Sequence, residues 1–475
     1  MTFLALSVAE CQWSDRNFSV SRRFGRCCLR AALGCSAQIT RPPRIGWERP
    51  ESSLWYRWGV TDADVDVIVV GAGLAGLRAA TAVRARGLTV RILEREASPG
   101  GRIRTDIIDG FRCDRGFQLL NPSYPAVQRH VDVAALNLRT SGRGVRTVDA
   151  AGRVATLADP TRHPRLLPTT IRSARAVGLL RPRAVAGAIR WALPAVGSVR
   201  RLGTAPDAGL GDDWDRLGVQ GPIRDAVLAP FLSGVLADGV GSTSDRYVRL
   251  VLRSFLRATP GVPAAGMQAL PRQLAAPLRD DISYETVVDE VIDGFTPSVR
   301  ISGGETLRAR AVVVASEAPV AGALTGQATA RMRGLSTWWF AADGLAPDQF
   351  LRVSGSGGPV VNTAQLSAFA PEYAPPGRVL VQATTLLDED GPAPETQVRA
   401  EVSRIWGASA AGWDLLIRHD IYDALPEQVP GTPLQRSLRV GERIVLAGDH
   451  RDTPSIQGAL VSGGRAASEV ARLLA

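Results

Sequence analysis

The stretch that most constrains the fold runs from residue 66 to residue 94. Asp66-Val67-Ile68-Val69-Val70 is a short β-branched run with the pattern of a strand buried on both faces. It leads directly into Gly71-Ala72-Gly73-Leu74-Ala75-Gly76 and then into a helical stretch, Leu77 to Arg86, closed by Gly87. Leu88-Thr89-Val90-Arg91-Ile92-Leu93 reads as the next strand, with Glu94 at its end. Each part has a mechanical task. Gly71 permits the tight turn out of the strand, and Gly73 withdraws a side chain where a pyrophosphate would approach. Gly76 lets helix and strand pack closely, while the free N–H groups of the helix start, at Leu74 and Ala75, face the phosphate charge. Glu94 stands where a carboxylate accepts hydrogen bonds from ribose hydroxyls, with Arg95 beside it. A glycine triplet alone is weak evidence. Strand, triplet, helix, strand and terminal acid in order specify a dinucleotide-binding unit.

The residues that follow bear on which dinucleotide is held. Ser98-Pro99-Gly100-Gly101-Arg102 comes just after Glu94, and Asp114-Arg115-Gly116-Phe117-Gln118 a little later. Here the sequence resembles the flavin-containing amine oxidase superfamily, which includes amine oxidases, protoporphyrinogen oxidases and phytoene desaturases. The resemblance implies FAD. Gly100, Gly101 and Arg102 would meet its diphosphate side, two glycines giving access and a guanidinium supplying forked donors. Gly116, Phe117 and Gln118 would run past the flavin ring.

The far end of the chain extends the resemblance. Arg443-Ile444-Val445-Leu446-Ala447 is another buried-strand pattern, followed by Gly448-Asp449, whose acid would reach the ribityl and phosphate region. Ile456-Gln457-Gly458-Ala459 then opens a long helical stretch, and its N–H groups would face the flavin edge where negative charge develops on reduction. In the middle, Gly266 to Pro271 resembles the link back into the cofactor lobe, and Val287 fits the strand whose backbone meets the adenine. The expected fold is therefore α/β: a Rossmann-like FAD-binding lobe built from residues 61–130, 262–320 and 436–475. An inserted α+β substrate lobe takes up 131–261 and 321–435.

The inserted regions say less. The Arg-rich apolar stretch from Arg162 to Leu202 is broken by four prolines. It reads as short helices packed on the lobe with solvated arginines, or as a basic surface that touches a membrane from one side. Trp338, Trp339 and Phe340 read as strand residues, either facing the cavity or packed in the sheet. No run of about 18 uncharged apolar residues occurs, which excludes a hydrophobic spanning helix.

The chemistry the resemblance implies is narrowed by composition. Amine oxidases of that superfamily hold a lysine by water beside the flavin, and this chain has no lysine; its 56 basic residues are all arginine. Covalent attachment there runs through a cysteine near the C-terminus, whereas the only cysteine after residue 59 is Cys113, so noncovalent FAD is expected. His450 is the other residue that bears on a covalent link. The leading expectation is a dehydrogenase or desaturase that moves hydride from a small apolar, conjugated organic substrate to FAD. An amine oxidase working without the lysine is the alternative, and so is a protein with structural FAD acting as an isomerase or binding partner. The sequence designates no catalytic acid or base and no electron acceptor.

Charge and cysteines add exclusions. Residues 1–59 hold nine arginines against four acids and four of the five cysteines, so half of the net +10 sits there. Ser21-Arg22-Arg23-Phe24 begins like a twin-arginine signal, but Arg26 and Arg30 interrupt its apolar region. Residues 1–60 are therefore expected to be a disordered or misassigned extension, and the protein cytoplasmic, with or without peripheral contact at a membrane. The rest of the chain is only mildly basic and lacks nucleic-acid-reading motifs. The four histidines are scattered, which argues against a metal centre.

Overall fold

The computed structural model describes residues 63–389 and 391–475; the expectation for residues 1–60 lies outside them. The dinucleotide unit forms as its pattern requires. Strand β1 (Val65–Val70) runs into helix α1 (Leu74–Arg84) and then β2 (Val90–Leu93). β1 pairs in parallel with β2 on one side and with Ala309–Val314 on the other. Ile282–Ser283 extends the parallel array beyond β2, and Ile444–Leu446 extends it beyond the Thr306–Val314 strand. The early part of that long strand pairs antiparallel with Ser298–Ile301, which pairs in turn with Val288–Ile292.

The unbroken apolar character of β1 follows from burial on both faces. Val67 and Val69 enter a core with α1 and the last helix, Ile456–Leu474. Ile68 and Val70 enter a second core with Val291, Val299 and Leu307. α1 and the last helix pack so closely that a Cβ on Gly463 would lie 2.2 Å from the Ala75 carbonyl oxygen.

A second seven-stranded sheet draws on residues 144–158, 332–387 and 414–426. Its long strand Met332–Ala342, second from one edge, pairs antiparallel with Val379–Leu387 and with the edge strand Asp414–Pro426. Alternation along this strand sends Trp338 and Phe340 to a core that also holds Val398, Val402 and Ile405 of helix Glu395–Trp406. It sends Trp339 to the opposite core, where Leu74, Leu270 and Leu460 of the dinucleotide region also lie. One apolar cluster thus joins the two sheets.

The aromatic run is packing: Trp338, Trp339 and Phe340 are fully buried, and Trp339 donates its indole N–H to the Asp114 carbonyl. The Arg162–Leu202 stretch forms helices Leu167–Ala176, Pro182–Ala192 and Val199–Thr204, with 3₁₀ turns at Pro164–Leu166 before the first and Leu193–Val196 between the last two, each break falling near a proline or glycine. No helix among the described residues is long and apolar enough to cross a membrane.

Candidate functional site

The three chain regions converge on one cavity of about 1050 Å³. This is just above the ~300–1,000 Å³ typical of ligand pockets. Its first wall is the glycine turn. Gly71 takes φ +101 and donates its N–H to the Leu93 carbonyl, and Gly73 caps α1. The glycines divide by role. A Cβ on Gly76 would sit 2.0 Å from the Gly71 carbonyl oxygen, whereas one on Gly73 would meet nothing within 4 Å. Gly76 is a packing residue outside the cavity wall; Gly73, Leu74 and Ala75 line it.

Glu94 is buried, and its two oxygens accept the Ala72 and Glu96 N–H groups at 2.6 and 3.0 Å. The carboxylate thus braces the glycine turn while lining the cavity. Gly100 donates to the Ala72 carbonyl, which draws the Gly100-Gly101 loop against Gly73. Gly101, at φ +59, would carry a Cβ 3.6 Å from the Gly73 Cα. Gly73 and Gly101 are therefore a cradle without side chains.

Arg102 bridges the two ends of the chain. Its guanidinium donates to Asp449 at 2.6 Å and to the Ala424 carbonyl at 2.8 Å. Burial works against its charge, but Asp449 outweighs that and raises its pKa. Asp449 is almost fully buried, and the Gly448 N–H before it is held by the Ser462 hydroxyl. Arg95 pairs with Glu317 at 3.2 Å on the cavity rim.

Gly116, Phe117 and Gln118 line the next section; Gly116 has φ +91, and the Gln118 amide donates to the Arg102 carbonyl. Val287 also lines the cavity, its carbonyl accepting the Ser302 N–H. At the last helix the Ser455 hydroxyl caps the Gly458 N–H, and Ile456 and Ala459 face the cavity. Gln457 and Gly458 do not. The Gln457 side chain turns away to accept the Ala126 N–H, and a Cβ on Gly458 would fall 1.8 Å from the Thr453 carbonyl oxygen. The Gln457 side chain thus acts as a tether, and Gly458 serves a tight turn.

One cluster escaped the sequence. Asp106 accepts two hydrogen bonds from Arg115, at 2.9 and 3.0 Å, and bonds the His419 ring at 2.9 Å. All three line the cavity. Burial lowers the His419 pKa against the opposing pull of Asp106. Burial raises that of Asp106, but Arg115 and His419 hold it below the ordinary carboxylate value. Arg115 stood in a quoted motif, yet His419 lies 313 residues from Asp106 and carries no local signal. Further along, Val227, Leu228, Phe231, Val251 and Phe255 close an apolar end of the same cavity.

These residues fit FAD. The cradle would be filled by a Cβ at Gly73, the helix starts supply N–H donors, and the buried Ser316 hydroxyl in the wall has no partner among the described residues. The two residues that bear on a covalent link, Cys113 and His450, are both buried and outside the cavity wall.

Comparison with known proteins agrees with this geometry. The family model for flavin containing amine oxidoreductases matches residues 74–471. Hydroxyneurosporene desaturase of Rubrivivax gelatinosus is 48% identical over 50 residues, 10% of this chain and 10% of its own length. Prolycopene isomerase 1, chloroplastic, of an Oncidium hybrid cultivar is 30% identical over 166 residues, 33% of this chain and 26% of its own. A putrescine oxidase double mutant shares the fold with a TM-score of 0.62 at 20% identity, covering 86% of this chain and 99% of that one.

Proposed function

The chain belongs to the flavin containing amine oxidoreductase family, and from that premise we propose that it is an FAD-dependent oxidoreductase of the dehydrogenase or desaturase type, acting on an apolar organic substrate. The observation that carries the reading is the continuity of one cavity, from the Gly73–Gly101 cradle to the apolar end at Phe231 and Phe255. When bound, FAD supplies a two-electron hydride acceptor. The protein's own residues bind and orient. Gly73, Gly101 and the α1 N-terminus receive the diphosphate, Glu94 the ribose, and the Arg102–Asp449 pair the ribityl side.

The last helix, which brings Ile456 and Ala459 to the cavity wall, would direct its N-terminal dipole toward negative charge added to the flavin. Phe231, Val251 and Phe255 exclude water and hold an apolar chain, and His419, fixed by Asp106, is the polar landmark on the cavity wall. The absence of lysine from the sequence favours this reading over an oxygen-using amine oxidase.

The test is anaerobic mixing of FAD-loaded protein with conjugated hydrocarbons and, separately, with amines. Bleaching of the visible flavin band by the hydrocarbon supports the proposal. Bleaching by amines alone, with rapid recovery in air, replaces it with an amine oxidase. The stretch similar to prolycopene isomerase favours one second reading, in which the substrate is isomerised with no net loss of hydrogen. Unchanged substrate mass with altered double-bond geometry distinguishes it. Acid precipitation that leaves all flavin in the supernatant marks the cofactor as noncovalent.

Peripheral membrane contact belongs to the same proposal. Leu193, Val196 and Val199 stand exposed in the Arg-rich stretch, a pattern suited to an anionic membrane surface from which a lipophilic substrate would enter.

A further inference from the structure

A second cavity, of about 660 Å³, lies on the other side of the last helix. Its wall is formed by α1, the Pro125–His130 helix, the 437–439 segment and the last helix itself. It gathers six arginines, among them Arg78, Arg86, Arg129 and Arg465, together with His130; Glu469 is the one carboxylate in its wall. Glu469 is already paired with Arg472, and Arg465 with Asp452.

The remaining cations lack such relief. Arg86 is held only by the Ala82 carbonyl and the Ser468 hydroxyl. The Arg78 Nε is buried without a partner among the described residues, and no ion pair joins Arg78 or Arg129 to a carboxylate there. Arginine-rich composition does not by itself leave cations unpaired: Arg249 meets both Asp213 and Asp245, and Arg333 meets Asp238 and Glu427. Gly464 keeps the floor open, its nearest neighbour being the Arg78 guanidinium. Burial, Arg78 and Arg129 together hold the His130 pKa below its ordinary value, as a site short of negative charge would.

We propose that this arginine cleft binds a phosphate-bearing anion, a phosphomonoester or diphosphate, at a site separate from the cofactor cavity. Forked guanidinium donors from Arg78 and Arg129 match tetrahedral phosphate oxygens. The two sites lie on one helix: Ile456 and Ala459 line the cofactor cavity, while Gln457, Leu460 and Gly464 line the cleft. The inference stands on the cleft's own residues and not on the redox reading.

Titration calorimetry of inorganic pyrophosphate into protein saturated with FAD tests it, because the cofactor then fills its own diphosphate site. Saturable binding is expected, weakened about tenfold by Arg78→Gln and about tenfold by the surface variant Arg129→Gln, with the flavin spectrum unchanged. Vesicles containing phosphatidic acid separate the sources. Retention on vesicles that the same two variants reduce, without pyrophosphate binding, makes a lipid headgroup the phosphate donor. Pyrophosphate heat and vesicle retention that are absent, or identical in wild type and Arg129→Gln, overturn the proposal.

Discussion

Gly73 and Gly76, three residues apart, serve different ends, and substitution separates them. Gly76→Ala drives a Cβ into the Gly71 carbonyl, so it is expected to cost about 1–3 kcal/mol or more in urea unfolding and to lower soluble yield. Gly73→Ala meets only open space. It should leave the unfolding midpoint within error yet weaken FAD binding about tenfold or more, as read by flavin fluorescence. Equal losses of stability in both variants would contradict this division. His450 offers a pH test. Burial, opposed by Asp449, lowers its pKa from 6.5 to about 4. Its folded pKa lies below its unfolded value, so the associated stability is complete above pH ~6.5 and is lost as pH falls toward 4. The swing is on the order of 3 kcal/mol. His450→Gln should flatten the stability curve across that window.

At the scale of elements, the Arg162–Leu202 helices carry the membrane prediction. Replacing Leu193, Val196 and Val199 together by Ser should leave flavin binding intact and reduce retention on anionic vesicles severalfold in a sedimentation assay. Unchanged retention would remove membrane contact from the proposal. The elements also show what a sequence can reveal. β1, the glycine turn, α1 and β2 were legible because each is a local pattern with its own physical cause. The same holds for Gly448-Asp449 and the last helix. The apolar run at Trp338–Phe340 fixed a strand but not its faces, since alternation alone does not say which side meets which core. The partner of the Gln457 side chain, the Ala126 N–H, lies 331 residues away and leaves no local signal. Asp106, Arg115 and His419 assemble across a similar gap, and no spacing rule reaches that far.

At the scale of the whole molecule, the cluster joining Leu74, Leu270 and Leu460 to Trp339 and Tyr373 makes the two sheets one cooperative body. Residues 63–389 and 391–475 group within a single compact unit. Calorimetry should therefore record one unfolding transition, coincident with flavin release, that moves upward with excess FAD; a hundredfold excess over Kd adds about 2.7 kcal/mol. Two separated transitions would mean that the sheets unfold independently. The chain order carries its own consequence for biosynthesis. The cofactor cavity takes its walls from Gly71 near one end of the described chain and from Asp449 and Ala459 near the other. During translation the glycine turn leaves the ribosome long before the strand and helix that close over it, so the sheet waits unfinished beyond the Thr306–Val314 strand, where Ile444–Leu446 will pair. Ribosome-bound chains arrested before residue 444 should hold no flavin, and loading must wait for these later elements, the unfinished cavity being exposed in the interval to chaperones and proteases.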